Sequence, residues 1–355
     1  MLALVSSLDI STLAEKIVTT LLDVARIAGV SRATVSLVCR GSPLVAEKTR
    51  LKVEKAMAKV GYIYNRSAAN LRSSLTNTVG LIIPDISNPI YSDLLAGVED
   101  ILTPLGKTVF VAGTNESMER QAHLLKRMLE MRIDGLIISM VGETPAKTFM
   151  PYIRNGIPVI QALRMIKDAP FDYAGINNQL GAQRATEHLL SLGHQHLGFI
   201  GSATSRSVSQ VRYQGFCDAI HNSGLAAETM PIISCRHSFA SAADAVKTLL
   251  STSPPLTAIV CYNDIIALGA TLGIYEMGLT PGQDISLIGF DDIEYAANWR
   301  PPLSTMSIEA QQIGRHAGTL LANRMQDFNL PRCSIVSETI LRPRKTTEPP
   351  KTDCG

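Results

Sequence analysis

The common enzyme signatures are missing from this chain. There is no GxGxxG after a strand-like run, no GxxxxGK[ST], no GxSxG and no HExxH. The phosphate cradles, nucleophile elbow and paired zinc histidines that those motifs build are therefore not on offer. Six cysteines, at positions 39, 217, 235, 261, 333 and 354, are scattered without CxxC or Cys/His spacing. They read as reduced small hydrophobes of a cytoplasmic protein, not as a disulfide framework or a metal site. No uninterrupted apolar run approaches membrane-spanning length. The opening MLALVSS lacks a basic flank and an adequate apolar stretch, and Asp9 and Glu15 follow it, so it is a poor signal peptide. Residues 1–19 read as an extension. Neither membrane nor cofactor is expected as a partner, and no enzymatic activity is expected.

Charge is also scarce. Only 18% of residues are charged, against 46% hydrophobic, which is too little charge for a disordered chain. A length of 355 residues allows more than one compact unit. The net charge of +2 hides an asymmetry. Between Thr20 and Leu75 there are ten Lys/Arg against three Asp/Glu, so a basic head precedes a mildly acidic body. That is the electrostatic footprint of a DNA-reading module joined to something else.

The head has a pattern of its own. In DVARIAGVSRATVSLV, from Asp23 to Val38, the small or apolar residues Val24, Ala25 and Ala28 share one face of a short helix. Gly29 permits a sharp reversal, and Ser31 is placed to cap a second helix, Arg32 to Cys39. Val35 and Val38 would pack inward, leaving Arg32, Ala33 and Ser36 free. Two short helices joined by a tight turn form a helix-turn-helix, whose second helix can enter the DNA major groove; an ordinary helical hairpin would show the same local pattern. A third helix is expected over Ala46 to Val60, with Leu51, Ala56 and Val60 packed and Lys48, Arg50, Lys52, Lys55 and Lys59 outward. The following NRSAANLRSS, Asn65 to Ser74, is helix-compatible but too short to hold a helix alone.

From Val79 onward strands and helices alternate. The runs VGLIIPD, KTVFVAGT, DGLIIS, IPVIQA, HLGFIGS, TAIVCYN and ISLIGFDD are unbroken apolar strands, the mark of parallel sheets buried on both faces. So much α/β sequence is large for one sheet, and two similar lobes are expected, with a boundary near Asn177 and a return near Thr305. Asp85, Asp264 and Asp291 follow strands, where open α/β sheets bind ligands. For Asp264, directly before IIALGATLGIYEMG, helix capping is the favoured reading. His188, His194 and His196 lie close along the chain, but no carboxylate or cysteine completes a ligand set, so packed or surface histidines are expected.

The ordered segments TLLDVARIAGVSRATVSLV, VAEKTRLKVEKAMAKVGYIYNRSAANLR, TVGLIIPDISNPIYSDLLAGVE, LLSLGHQHLGFIGS, RYQGFCDAI, AIVCYNDIIALGA, ISLIGFDDIEYA and RPPLSTMSIEAQQIGRHA closely resemble the LacI/GalR family of bacterial transcription regulators. The wording of TVSLV, NRSAANLR and VCYND is most similar to the branch containing the maltose-system repressor MalI. The resemblance implies an all-α helix-turn-helix headpiece (20–64), a hinge helix or linker (65–77), an α/β two-lobed effector domain related to periplasmic binding proteins (78–345) and a tail (346–355). The lobes are expected at 78–176 with 306–337, and at 177–305. It implies that Thr20, Ser31, Thr34 and Asn65 contact phosphates, and that Arg32 and Ala33 read bases, with Ser36 and Leu37 on the same helix. Leu37 departs from the Arg or His that many members carry, so operator preference should differ there. Ala68 and Leu71 match hinge positions that enter the minor groove, where a leucine can wedge between base steps. Tyr91, Arg164, Arg206, Arg212, Phe239, Asn263 and Asp291 match positions around the effector cleft, and their chemistry suits a polyhydroxylated ligand. Partners would be double-stranded operator DNA, a small effector such as a sugar, and a second copy of the chain. After LRPRKTTEPP five residues remain, without a heptad-bearing helix, so a dimer is expected. A sugar-transport binding protein would share the body but not the basic head.

Overall fold

The computed structural model describes residues 19–64, 75–166, 169–201, 208–251 and 255–351. Two compact units divide the chain, residues 1–74 and 75–355. In the first, α1 (Leu21–Ala28) starts at a reciprocal cap. The Thr20 amide donates to Asp23 Oδ2 at 3.0 Å, and the Asp23 amide donates back to Thr20 Oγ1 at 3.4 Å. Gly29, at φ 63°, ends it in the left-handed conformation that favours glycine. Ser31 caps α2 (Arg32–Cys39) by accepting from the Thr34 amide at 3.1 Å. A third helix, α3 (Glu47–Val60), closes a small core of Val24, Ala25, Ala28, Val35, Val38, Val45, Val53 and Ala56. Leu51, expected inside, is 49% exposed. It sits two residues before Val53, about 200° round the helix, and so on the opposite face.

The second unit holds two sheets of the same winding. The first contains β1 (Thr78–Ile83), β2 (Thr108–Gly113), β3 (Gly135–Ile138), β4 (Val159–Ala162), β5 (Asp172–Ile176) and β11 (Ser334–Ser337), in the order β11-β5-β4-β3-β1-β2, with every pair parallel. The second contains β6 (Leu197–Ile200), β7 (Ile232–Ile233), β8 (Ala258–Cys261), β9 (Ser286–Asp291), β10 (Ser304–Ser307) and β12 (Ile340–Arg342), in the order β12-β10-β9-β8-β6-β7. Only β12 runs antiparallel to its neighbour. Strands β3, β4, β6, β8 and β9 are buried at every residue, as helices on both faces require.

Helices α4 (Ile90–Leu102), α5 (Met118–Glu130), α6 (Met150–Arg154) and α12 (Ala310–Gln326) belong to the first lobe. The second has α7 (Asn178–Ser191), α8 (Val208–Asn222), α9 (Phe239–Leu250), α10 (Asp264–Glu276) and α11 (Glu294–Asn298). Close helix crossings rest on glycine. A Cβ on Gly97 of α4 would lie 1.9 Å from the Gln311 carbonyl of α12, and one on Gly215 of α8 would lie 2.0 Å from the Gln179 carbonyl of α7.

Two boundaries differ from the sequence expectation. Strand β10 stays in the second lobe through Ser307, so the return to the first comes at Ile308–Glu309 instead of Thr305. The chain then crosses a third time between β11 and β12. Residues 346–348 are no free tail. The Leu287 amide donates to the Thr346 carbonyl at 2.6 Å, Thr346 Oγ1 donates to the Leu287 carbonyl, and Ser286 Oγ bonds both backbone groups of Glu348. Two histidines of the segment HLLSLGH, His188 to His194, hold this strap. His188 Nε2 lies 3.0 Å from Thr347 Oγ1, while His194 bonds the Glu348 carbonyl and Thr257 Oγ1, each at 2.9 Å. Burial pushes both imidazoles below their ordinary value.

A histidine depressed in the fold resists a proton that the unfolded chain accepts. Its stabilising effect is therefore whole above about pH 6.5 and is lost as pH falls below that value. The urea midpoint of the protein should drop between pH 7.5 and 5.5, and the drop should be smaller in His194→Gln. An equal drop in that variant would show that His194 does not carry it.

Candidate functional site

Two sites emerge, one in each unit. On the headpiece, Arg32 and Ala33 stand exposed on the first turn of α2, and Arg32 has no ion-pair partner among the described residues. Ser36 is half-buried on the same helix. Leu37 is half-buried against the headpiece core, which leaves only part of its side chain to a ligand. Thr20, Ser31 and Thr34 already have local partners: Thr20 Oγ1 reaches Asp23 Oδ2 at 2.7 Å, and the Ser31 and Thr34 hydroxyls lie 2.9 Å apart. These capping bonds set the N-terminal ends of α1 and α2, where backbone N–H groups favour anions. Lys48, Lys52, Lys55 and Lys59 are exposed along α3. Asn65, Ala68 and Leu71 lie outside the described residues.

In the body, a cleft opens between the carboxyl ends of the two sheets, the place where open α/β sheets bind small ligands. Tyr91, Arg164, Arg212, Asn263 and Asp291 all line it. Arg212, on α8, is 6% exposed and heavily committed. Its Nε donates to Asn178 Oδ1 at 2.9 Å, Nη1 to the Tyr262 carbonyl at 2.7 Å, and Nη2 to Asp291 Oδ1 at 3.1 Å. Its guanidinium also lies 3.6 Å from the centroid of the Phe290 ring. Burial pushes the Asp291 carboxyl up, and the adjoining Arg212 charge pulls it back. Arg164 makes a two-pronged bond to Glu116, at 2.7 and 3.0 Å. Tyr91 is buried, and desolvation raises its phenol to about 12, which keeps the hydroxyl neutral as a donor.

Two placements differ from the sequence reading. Asn263, not Asp264, caps α10, accepting from the Ile266 amide at 3.1 Å. Its amide nitrogen is left for the cleft. Phe239 is not among the lining residues; it begins α9 and meets Trp299 edge-on, with centroids 5.9 Å apart. Arg206 lies outside the described residues. The aromatic surface comes instead from Tyr262 and His237, stacked at 4.9 Å and 17°. Tyr262 directly follows β8 and was legible as a strand-end position; His237 carried no such signal. Asp85 lines the cleft too, its Oδ1 held by the Ser87 amide and hydroxyl.

Residues 76–345 match the family of periplasmic binding proteins and sugar binding domain of the LacI family, and residues 20–65 match the bacterial regulatory proteins of the lacI family. The chain belongs to the LacI family. The maltose regulon regulatory protein MalI of Escherichia coli strain K12 is 32% identical over 315 residues, covering 86% of this chain and 91% of that protein. The lac repressor dimer bound to operator and the anti-inducer ONPF aligns at a TM-score of 0.80 and 28% identity, over 93% of this chain and 99% of that one. The transcriptional regulator CelR in complex with cellobiose aligns at 0.70 and 25%, over 92% and 99%. This LacI-family protein is thus a DNA-binding transcriptional regulator of the repressor type with a ligand-binding body. Among its described residues no helix is long and apolar enough to cross a membrane.

The ion pair changes what a substitution at Asp291 should do. One carboxylate oxygen already serves Arg212, so Asp291→Asn leaves a buried guanidinium without its counter-charge. Breaking such a pair costs about 3 kcal/mol, so the body should lose roughly that much stability. Urea unfolding followed by fluorescence of Trp299, the single tryptophan, measures it. A loss below about 1 kcal/mol would mean that the other Arg212 partners suffice.

Proposed function

We propose that this protein is a cytoplasmic, dimeric repressor whose operator affinity is set by a neutral polyhydroxylated molecule, a sugar or close derivative, held in the cleft. The observation that carries the ligand class is the charge pairing. Both described arginines lining the cleft have carboxylate partners, and Asp85 adds a further carboxylate. An anionic ligand finds no free cation among the described residues. Sugar hydroxyls, in contrast, find donors on Arg212, Asn263 and Tyr91, acceptors on Asp291 and Asp85, and an aromatic face at Tyr262 for an apolar sugar face. The cellobiose held by CelR supports the same class. Effector control follows if the sugar favours one arrangement of the lobes.

On DNA, Thr20, Ser31, Thr34 and Asn65 are assigned to phosphates, Arg32, Ala33, Ser36 and Leu37 to base edges, and Ala68 and Leu71 to the minor groove. Gel shifts on the protein's own promoter region, with neutral sugars and the corresponding sugar phosphates, test the proposal. Neutral sugars should move the operator midpoint; a response to the phosphates alone would reject the ligand class.

Arg32 can donate two bonds to a guanine edge, a pairing worth about 1–3 kcal/mol of discrimination. Arg32→Ala should lose that preference at one base pair per half-site, measured by selection from random DNA, which should also return a two-fold symmetric site. Equal weakening on every sequence would make Arg32 a phosphate contact.

A further inference from the structure

Behind the cleft lies a carboxyl that no ligand can reach. Asp264, the first residue of α10, is fully buried and does not line the cavity. Its Oδ1 accepts from Thr305 Oγ1 on β10 at 2.6 Å, and its Oδ2 accepts from the Ile293 amide at 2.9 Å. The place is shaped for it, since a Cβ on Gly289 of β9 would lie 2.2 Å from Oδ1. No cation pairs with Asp264 among the described residues, while Arg212 pairs with Asp291 and Arg344 with Asp292. Burial and the neighbouring Asp291 charge push its carboxyl well above the usual range.

The segment that Asp264 holds is strained. Asp291 has φ 116° and Asp292 φ 61°, both in the region that favours glycine. Two successive non-glycine residues keep such a backbone only when the surroundings over-determine it. Three restraints do so: Arg212 grips the Asp291 side chain, Arg344 donates to Asp292 Oδ1 at 2.6 Å, and Asp264 takes the next amide, that of Ile293.

Building on the assignment of Asp291 to the ligand, we propose that Asp264 is the positioning residue for this site. Its two hydrogen bonds tie the turn 291–293 to α10 and β10 and so aim the Asp291 carboxylate into the cleft. Hydrogen-bond geometry, not charge, does this. Asparagine of the same shape can accept from Ile293 through its oxygen and donate to Thr305 through its nitrogen.

The test uses the full-length protein with Asp264→Ala, Asp264→Asn and Thr305→Val, the last removing one anchor while keeping the shape. Hydrogen–deuterium exchange over residues 291–294, without ligand, should rise about tenfold or more in the alanine variant while β6 and β8 keep parental protection. The asparagine variant should stay near the parent and the valine variant should fall between. Titration with ribose, glucose and cellobiose should show affinity for whichever of these sugars the parent binds falling about tenfold with alanine and little with asparagine, with sugar-free operator affinity unchanged. Parental exchange in Asp264→Ala, or an asparagine variant as open as alanine, overturns the proposal. So does sugar affinity that stays parental where exchange has risen. If Asp264→Ala fails to fold, parental exchange in Thr305→Val overturns it. If the parent binds none of the three sugars, exchange alone decides the positioning role, and it is the ligand assignment that loses support.

Discussion

The second lobe is organised around one buried cation. Arg212 sits on α8, yet its bonds reach Asn178 at the start of α7, the Tyr262 carbonyl after β8, and Asp291 at the end of β9. A guanidinium is suited to this because its donors are fixed in a plane and it stays charged. Taken from water without those acceptors it would be costly; with them it fixes four chain segments at the carboxyl end of one sheet. The same cation faces the cleft. Whatever enters meets a wall whose hydrogen bonds are already set, and preorganisation of that kind lowers the cost of binding.

The opposite wall is built on a similar logic. In the first lobe Arg164 is clamped by Glu116, with Tyr91 buried beside them. The shared winding of five strands in each sheet places both sets of strand ends at one opening. Three chain crossings join the lobes, and the last delivers a strap that the buried His194 and the half-buried His188 pin to the second lobe. The body therefore consists of two lobes with polar side chains lining the cleft where they meet, an arrangement in which a ligand can select between lobe positions.

Much of this was legible in the residues. The helix-turn-helix is local: a glycine at the reversal, a serine cap and valines three apart determine it without distant contacts. Unbroken apolar runs announced parallel sheets for the same reason. The cleft was legible only in part, because it is assembled from loops far apart in the chain. Arg212 and Asp291 are 79 residues apart, and periodicity carries nothing about such a pairing. Asn263 and Asp264 both suit a helix cap, and only the burial of Asp264 against Thr305 separates their roles. Phe239 shared the helix-start position with no way to show that its ring turns to Trp299. The strap at 346–348 looked like a polar tail, since its bonds are mainly backbone and hydroxyl groups with no sequence pattern.

Energetic coupling between cleft and headpiece is measured most directly through thermodynamic linkage. Titrate a neutral sugar that binds the body by calorimetry, once with the free protein and once with the protein saturated by its operator. Reciprocity requires the sugar affinity to change by the same factor by which the sugar changes operator affinity, typically about 5–150-fold. A matched change of that order is expected. Identical sugar affinity with and without operator would contradict it, because the cleft would then be a binding site with no hold on DNA.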